Sequence, residues 1–383
     1  MIDPVRPITL AEIEAARERI AGTVLRTPLV RLDLGPDGPD IRLKLENLQP
    51  TNAYKIRGAA NAVANLSEAE RARGVWTVSA GNAGQGVAYA ARAAGIPCTV
   101  VAIETAPQTK LDRMAALGAR IVPVPYEVAW QAVTDHQFEG MEGRFIHPFD
   151  NHEFLAGHGT MGLEILEDAP DARVVICPIG GGGLISGVGS AVKAKRPDIR
   201  LVGAEPETAA PYALSRREGG PRRFPDWQAS FVDGAGGQSV TERMWERMLP
   251  LVDGAIVVTL DQTRAALRLL AEKARVVAEG AGALSLAAAL TGDAGEGAIV
   301  CVVSGFFRQR RQFIQTFQSE IIQDFAGRAV KNGATGSFRS STTISGFPTH
   351  LRRSDPGRGV TTSRAWSRGS ASATAPPTGS STS

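Results

Sequence analysis

Apolar and polar positions change rhythm along the chain. Thr9 followed three residues later by Glu12 has the form of a capping box and predicts a helix to about Ile20. Ile41–Leu45 is a short strand candidate ending near Glu46. From there α/β alternation begins: a buried strand over 75–80, an Ala-rich helix over 87–95, a strand over 97–103, a helix over 109–118 closed by Gly118, and a strand over 120–124. The rhythm returns with a strand over 174–179, a helix over 183–195 and a strand over 200–206. After an irregular stretch come a helix over 263–276 and a last strand over 298–304. Strands alternating with helices imply open parallel sheets with helices on both faces, and two such runs imply two α/β domains. Phe313, Ile314, Phe317, Ile321 and Ile322 recur at helical spacing, so 311–325 is read as a docking helix. From 331 to 383 periodicity stops and Ser, Thr, Gly, Pro and Arg dominate, which predicts a disordered tail.

A length of 383 residues agrees with two domains, and 43% apolar with 21% charged residues is ordinary for a globular chain. The net charge of +3 hides an asymmetry. Seven basic residues and the single acid Asp355 give 331–383 an excess of six positive charges, which leaves 1–330 with three negative ones. The folded part therefore has no nucleic-acid footprint. Cys98, Cys177 and Cys301 each sit in an apolar run and read as buried thiols; no ligand spacing for zinc accompanies them. The N-terminus lacks the apolar region of a signal peptide, and no apolar run of 18 residues is present, so the expected location is the cytoplasm and no membrane is expected as a partner.

Three segments carry candidate chemistry. In LKLENLQPTNAYKIRGAANAV (43–63), Lys55 follows a polar turn and precedes a helix-like run. The positive potential of a helix N-terminus favours a free amine there, as a Schiff-base lysine requires, although most lysines so placed are solvated. In VSAGNAGQGVAYAA (78–91), a strand, a tight turn and a helix bring backbone N–H groups together with Ser79, Asn82 and Gln85 at a strand's carboxyl end. Such a turn suits a carboxylate or phosphate, or is an ordinary βα connection. In VVICPIGGGGLISGV (174–188), four glycines follow a strand and open a helix, leaving N–H groups free to cradle a phosphate. A dinucleotide fingerprint fits poorly, since Ile185 or Ser186 falls at the third glycine position.

In order and spacing these segments resemble the fold-type II pyridoxal 5′-phosphate (PLP) enzymes, and within them the threonine/serine dehydratase and serine racemase branch, over about residues 5–305. The resemblance implies two open twisted parallel-sheet domains with the cofactor in the cleft between them: 1–73 with 148–325 as the large domain, and 74–147 as the small one. It makes Lys55 the Schiff-base lysine and catalytic base, with Tyr54 as the aromatic beside it. Asn82 becomes the partner of the cofactor's 3′-oxygen. Gly180, Gly181, Gly182, Gly183 and Leu184 form the phosphate cup, Glu279 is the acid near the cofactor, and Ser304 is the hydroxyl facing the pyridine nitrogen. Ser79, Ala80, Gly81 and Gln85 belong to the substrate-carboxylate loop, and Gly234 to the DG turn lining the pocket. A homodimer acting on a small amino acid is implied.

Three departures from the family pattern stand out. Ala83 replaces a histidine after the SxGN asparagine, the last strand runs into SGFFRQRR instead of SGGN, and Pro211 occupies the third place of a cation site otherwise matched by Glu205 and Ala209, so no metal is expected. The implied reaction is β-elimination of water from a hydroxy amino acid such as L-threonine or L-serine, giving a 2-oxo acid and ammonia, with Ser304 favouring elimination over transamination. Racemisation is the first alternative. It needs a second acid/base, which the racemase-like pattern supplies with a serine where this chain has Ala80. The other alternative is a catalytically impaired PLP-binding protein.

Overall fold

The computed structural model describes residues 4–306; the expectations for 311–325 and for 331–383 lie outside them. Ten strands are present in the described chain: β1 (Leu29–Arg31), β2 (Ile41–Lys44), β3 (Val75–Val78), β4 (Cys98–Ile103), β5 (Arg120–Val124), β6 (Arg144–Phe145), β7 (Ala172–Pro178), β8 (Arg200–Pro206), β9 (Gly254–Val258) and β10 (Ala298–Val302). They form two sheets, one of six strands ordered β1-β2-β10-β7-β8-β9 and one of four ordered β5-β4-β3-β6. Every pairing is parallel except β1 with β2. β1 is a three-residue edge strand with no fully buried position, too short and too exposed to announce itself in the sequence.

The helices are α1 (Leu10–Ile20), α2 (Lys55–Ala64), α3 (Glu68–Arg73), α4 (Asn82–Ala94), α5 (Gln108–Ala116), α6 (Tyr126–Asp135), α7 (His152–Asp168), α8 (Gly183–Lys195), α9 (Pro211–Glu218), α10 (Glu242–Met248), α11 (Leu260–Leu269) and α12 (Gly280–Ala289). The Thr9–Glu12 capping box is formed at α1. The six-stranded sheet is covered on both faces, which is why its central strands read as unbroken apolar runs. Val174 and Ile176 of β7 point into a core shared with α11 and α12. Val175 and Cys177 point the other way, into a core shared with α8. All three cysteines are buried and free, and burial pushes the Cys98 thiol up to about 12. Among the described residues no helix is long and apolar enough to cross a membrane.

Candidate active site

Lys55 is the first residue of α2, as the turn before it implies. The turn is set by Asn52, whose φ of +59° reverses the chain. The Tyr54 amide then donates to the Ser304 carbonyl (3.1 Å), and Ala53 bridges Gly305, so the start of α2 is tied to the end of β10. A Cβ on Gly86 would lie 3.2 Å from the Lys55 carbonyl, so α4 crosses this first turn closely. The Lys55 amine donates to the Pro148 carbonyl at 2.6 Å and lies 5.2 Å and 5.6 Å from the ring centres of Tyr54 and Phe154. Burial pulls its ammonium down to about 7, so a large share of the amine is unprotonated near neutral pH.

Two residues on, Arg57 is fully buried and makes paired hydrogen bonds to both carboxylate oxygens of Glu46 (2.8 Å each) and of Glu164 (2.7 and 2.8 Å). Lys44, equally buried, sits 2.6 Å from Glu164. Burial alone would raise Glu46, but the Arg57 guanidinium outweighs it and holds the carboxyl below its ordinary range. This charge-neutral cluster pins the first turn of α2, where Lys55 sits, to β2 and α7.

The second segment meets the Glu279 region. Asn82 opens α4 and donates from Nδ2 to Glu279 Oε1 (3.0 Å), although 197 residues separate them. Gly305 fits against both, since a Cβ there would clash with the Glu279 carboxylate and stand 3.3 Å from Asn82 Nδ2. A Cβ on Gly234 would lie 3.1 Å from the same Glu279 oxygen. Ser79 Oγ accepts from the Gly81 amide (3.1 Å) and shapes the turn, with Ala80 half-buried in it. Gln85 is 2% exposed, and its Nε2 has no partner among the described residues.

Gly180, Gly181 and Gly182 form the turn before α8; Gly183 and Leu184 begin the helix. Gly182 caps it at φ +86° with no side-chain cap, and the amides of Gly180–Gly182 find no acceptor among the described residues. A Cβ on Gly180 would stand 3.1 Å from the Gly234 carbonyl, and one on Gly181 would strike the Phe149 ring. The turn is thus a side-chain-free cradle of N–H groups at a helix N-terminus. The cradle, the desolvated amine of Lys55 and the unpartnered amide of Gln85 are what an anionic aldehyde cofactor and a carboxylate substrate require.

Two groups escaped the sequence reading. The turn His147–Asp150 forms one wall around Lys55 through Pro148. His158, fully buried, has both ring nitrogens unpartnered among the described residues and meets Tyr54 and Phe154 edge-on, each at 4.8 Å. A histidine among the glycines and apolar residues of α7, six positions after His152, carries no spacing signal. Glu205, weighed for a cation, instead accepts from the amides of Tyr212 (2.9 Å) and Ala213 (2.7 Å) at the start of α9, which Pro211 opens, and burial pushes it up to about 8. Ala209 lies buried in the same connection.

The family described as pyridoxal-phosphate dependent enzyme matches residues 20–305. L-threonine ammonia-lyase of Thermotoga maritima is 40% identical over 74% of this chain and 71% of that protein. A putative threonine dehydratase of Sinorhizobium fredii is 37% identical over 78% of this chain and 92% of its own length. Among solved structures, the T.th. threonine deaminase superposes with a TM-score of 0.73 at 35% identity, covering 79% of this chain and 99% of that one. Maize serine racemase superposes with 0.74 at 31% identity, covering 84% and 100%. With the family matched across the whole of the site just described, the chain belongs to the pyridoxal-phosphate dependent enzymes.

Proposed function

We propose that the chain is a PLP-dependent ammonia-lyase that eliminates water from a hydroxy amino acid such as L-threonine or L-serine, after which hydrolysis of the released enamine by one water gives ammonia and a 2-oxo acid. The observation that carries this reading is the Lys55 amine: desolvated, at a helix entrance, and held on the wall formed by Tyr54, Phe154 and Pro148. Bound to Lys55, PLP supplies the electron sink that makes the substrate Cα proton acidic. The amides of Gly180–Gly183 and Leu184 would hold its phosphate, Asn82, oriented by Glu279 through the Nδ2–Oε1 hydrogen bond, would serve its 3′-oxygen, and the buried Ser304 would supply a hydroxyl to its ring nitrogen. Ser79, Ala80, Gly81 and Gln85 receive the substrate carboxylate, with Gln85 Nε2 as the waiting donor. Gly234 lines the pocket beside Glu279. The Lys55 amine, once released, takes the Cα proton. Ala80 offers no proton to the opposite face of Cα, which favours elimination over racemisation.

In this reading residues 74–147, around the four-stranded sheet, form a small domain facing a large one built from 1–73 and the described residues from 148 on, with the cofactor between them. The resemblance also supports a cytoplasmic homodimer in amino-acid catabolism. Measuring 2-oxo acid and ammonia from L-threonine, L-serine and 3-hydroxyaspartate tests the reading. Stoichiometric release of both from at least one is expected. Interconversion of L- and D-serine without 2-oxo acid would assign a racemase, and a PLP-loaded protein inert to all would assign a binder.

A further inference from the structure

The wall opposite Lys55 is a turn with its own internal scaffold. His147 Nδ1 accepts from the amides of Phe149 (3.2 Å) and Asp150 (2.8 Å). A ring nitrogen that accepts carries no proton, so the hydrogen-bond pattern assigns the neutral tautomer protonated at Nε2. Asp150 is clamped in turn by two arginines of α10, Arg243 at 2.5 Å and Arg247 at 3.0 Å. His147 is 5% exposed and Asp150 6%. Between them lies Pro148, whose carbonyl accepts from the Lys55 amine at 2.6 Å.

We infer that His147 is a positioning residue: its imidazole, with the Asp150–Arg243–Arg247 clamp, fixes the Pro148 carbonyl as the docking point for the Lys55 amine whenever that amine is free. The inference rests on the reading of Lys55 given above. A free amine that donates one hydrogen to a fixed carbonyl has its lone pair confined to the two remaining tetrahedral positions, and a base must be aimed to take a Cα proton. Without the scaffold the carbonyl drifts and the lone pair loses its aim. Burial pushes the imidazole down to about 3, against the opposing pull of Asp150, with His136, Lys55 and Arg243 also nearby, so the acceptor persists through the working pH range. His147 and Asp150 also border a cavity of about 1030 Å3 shared with His136, Arg243 and Arg247. The His147 ring also packs against the rings of His136, Phe145 and Phe149, so the test includes a variant, Asp150→Asn, that spares it.

The test uses the full-length protein and three variants: His147→Leu, which deletes the acceptor; His147→Asn, whose Oδ1 accepts from the same amides; and Asp150→Asn, which loosens the clamp. Melting temperature and the visible PLP band report folding and loading. Competitive acetylation of cofactor-stripped protein by acetic anhydride, read at Lys55 by mass spectrometry across pH, reports the amine itself. His147→Leu is expected to fold and load, to keep its KM, and to lose about 10²-fold in kcat, the scale of a misplacement near 1 Å. Its Lys55 acetylation profile shifts, and His147→Asn recovers most of the loss. If His147→Leu does not fold, Asp150→Asn carries the same expectation in weaker form. A folded, loaded His147→Leu or Asp150→Asn with wild-type kcat overturns the inference. So does a loss of kcat with an unchanged acetylation profile and no recovery in His147→Asn. Wild-type protein without a visible band would instead overturn the assignment of Lys55, which the acetylation profile does not depend on.

Discussion

Replacing Arg57 by Met tests whether the buried charges beside Lys55 work as one cluster. The substitution keeps the chain length and removes the guanidinium. Glu164 keeps Lys44 at 2.6 Å, so its charge stays compensated. Glu46, fully buried, is left with only the Thr27 hydroxyl (2.6 Å) and the Gln49 amide (3.2 Å), with no cation in contact. One uncompensated buried carboxylate costs about 3–5 kcal/mol. At roughly 2 °C for each kcal/mol in a large domain, the melting point falls by roughly 6–10 °C. The loss depends on pH in a definite direction. Arg57 holds the wild-type Glu46 carboxyl low, so its contribution is present above the unfolded carboxylate range and is lost as pH falls. In Arg57→Met the same carboxyl is raised by burial, so the gap between variant and wild type narrows towards pH 4. Adding Glu46→Gln to Arg57→Met removes the orphaned charge and recovers most of the loss. Thermal melts from pH 4 to 8 measure all three proteins. A single variant melting within about 2 °C of wild type at pH 7, or a double variant no better than the single, would refute the reasoning.

Three further outcomes are expected. Burial lowers Lys55 to about 7 from an ordinary 10.5, so between those values the unfolded chain holds a proton that the folded, cofactor-free protein does not; stability therefore rises with pH there. Lys55→Met abolishes that slope, as urea melts at pH 7 and pH 9 on both proteins check. Gly182→Asp puts a side chain at φ +86° and a negative charge in the glycine turn, so PLP affinity by equilibrium dialysis should fall by more than about tenfold, and unchanged binding would place the phosphate elsewhere. Ala80→Ser should introduce interconversion of L- and D-serine detectable by chiral chromatography, whereas wild type racemising as fast as it deaminates would show that Ala80 is not the discriminating position.

Features set by local sequence were legible. The limits of β5, α8 and β8 match the apolar runs that predict them, and Lys55 falls at a helix start because a polar turn precedes an apolar run. Helix α4 begins at Asn82, five residues before the Ala-rich stretch that signals it. Its first turns contain Gly84 and Gly86, which lower helix propensity but are demanded by contact with Ser79, Met114 and the Lys55 backbone. Helix α7 left no periodic trace because Phe154–Ile165 is buried on every side, with Gly157 lying against the Arg57 carbonyl. The site's long-range ties were out of reach for another reason. Asn82 with Glu279, Arg57 with Glu164 and Lys55 with Pro148 are joined only by tertiary folding, and no local pattern marks either partner.

The central claim is that Lys55 carries PLP, and one measurement addresses it directly. The protein is loaded with PLP, reduced with borohydride, digested and mapped by mass spectrometry. The account predicts a pyridoxyl-phosphate adduct on the peptide containing Lys55, and loss of both the adduct and the visible band in Lys55→Ala. An adduct on another lysine, or a Lys55→Ala protein that still traps PLP and still forms 2-oxo acid, would contradict it.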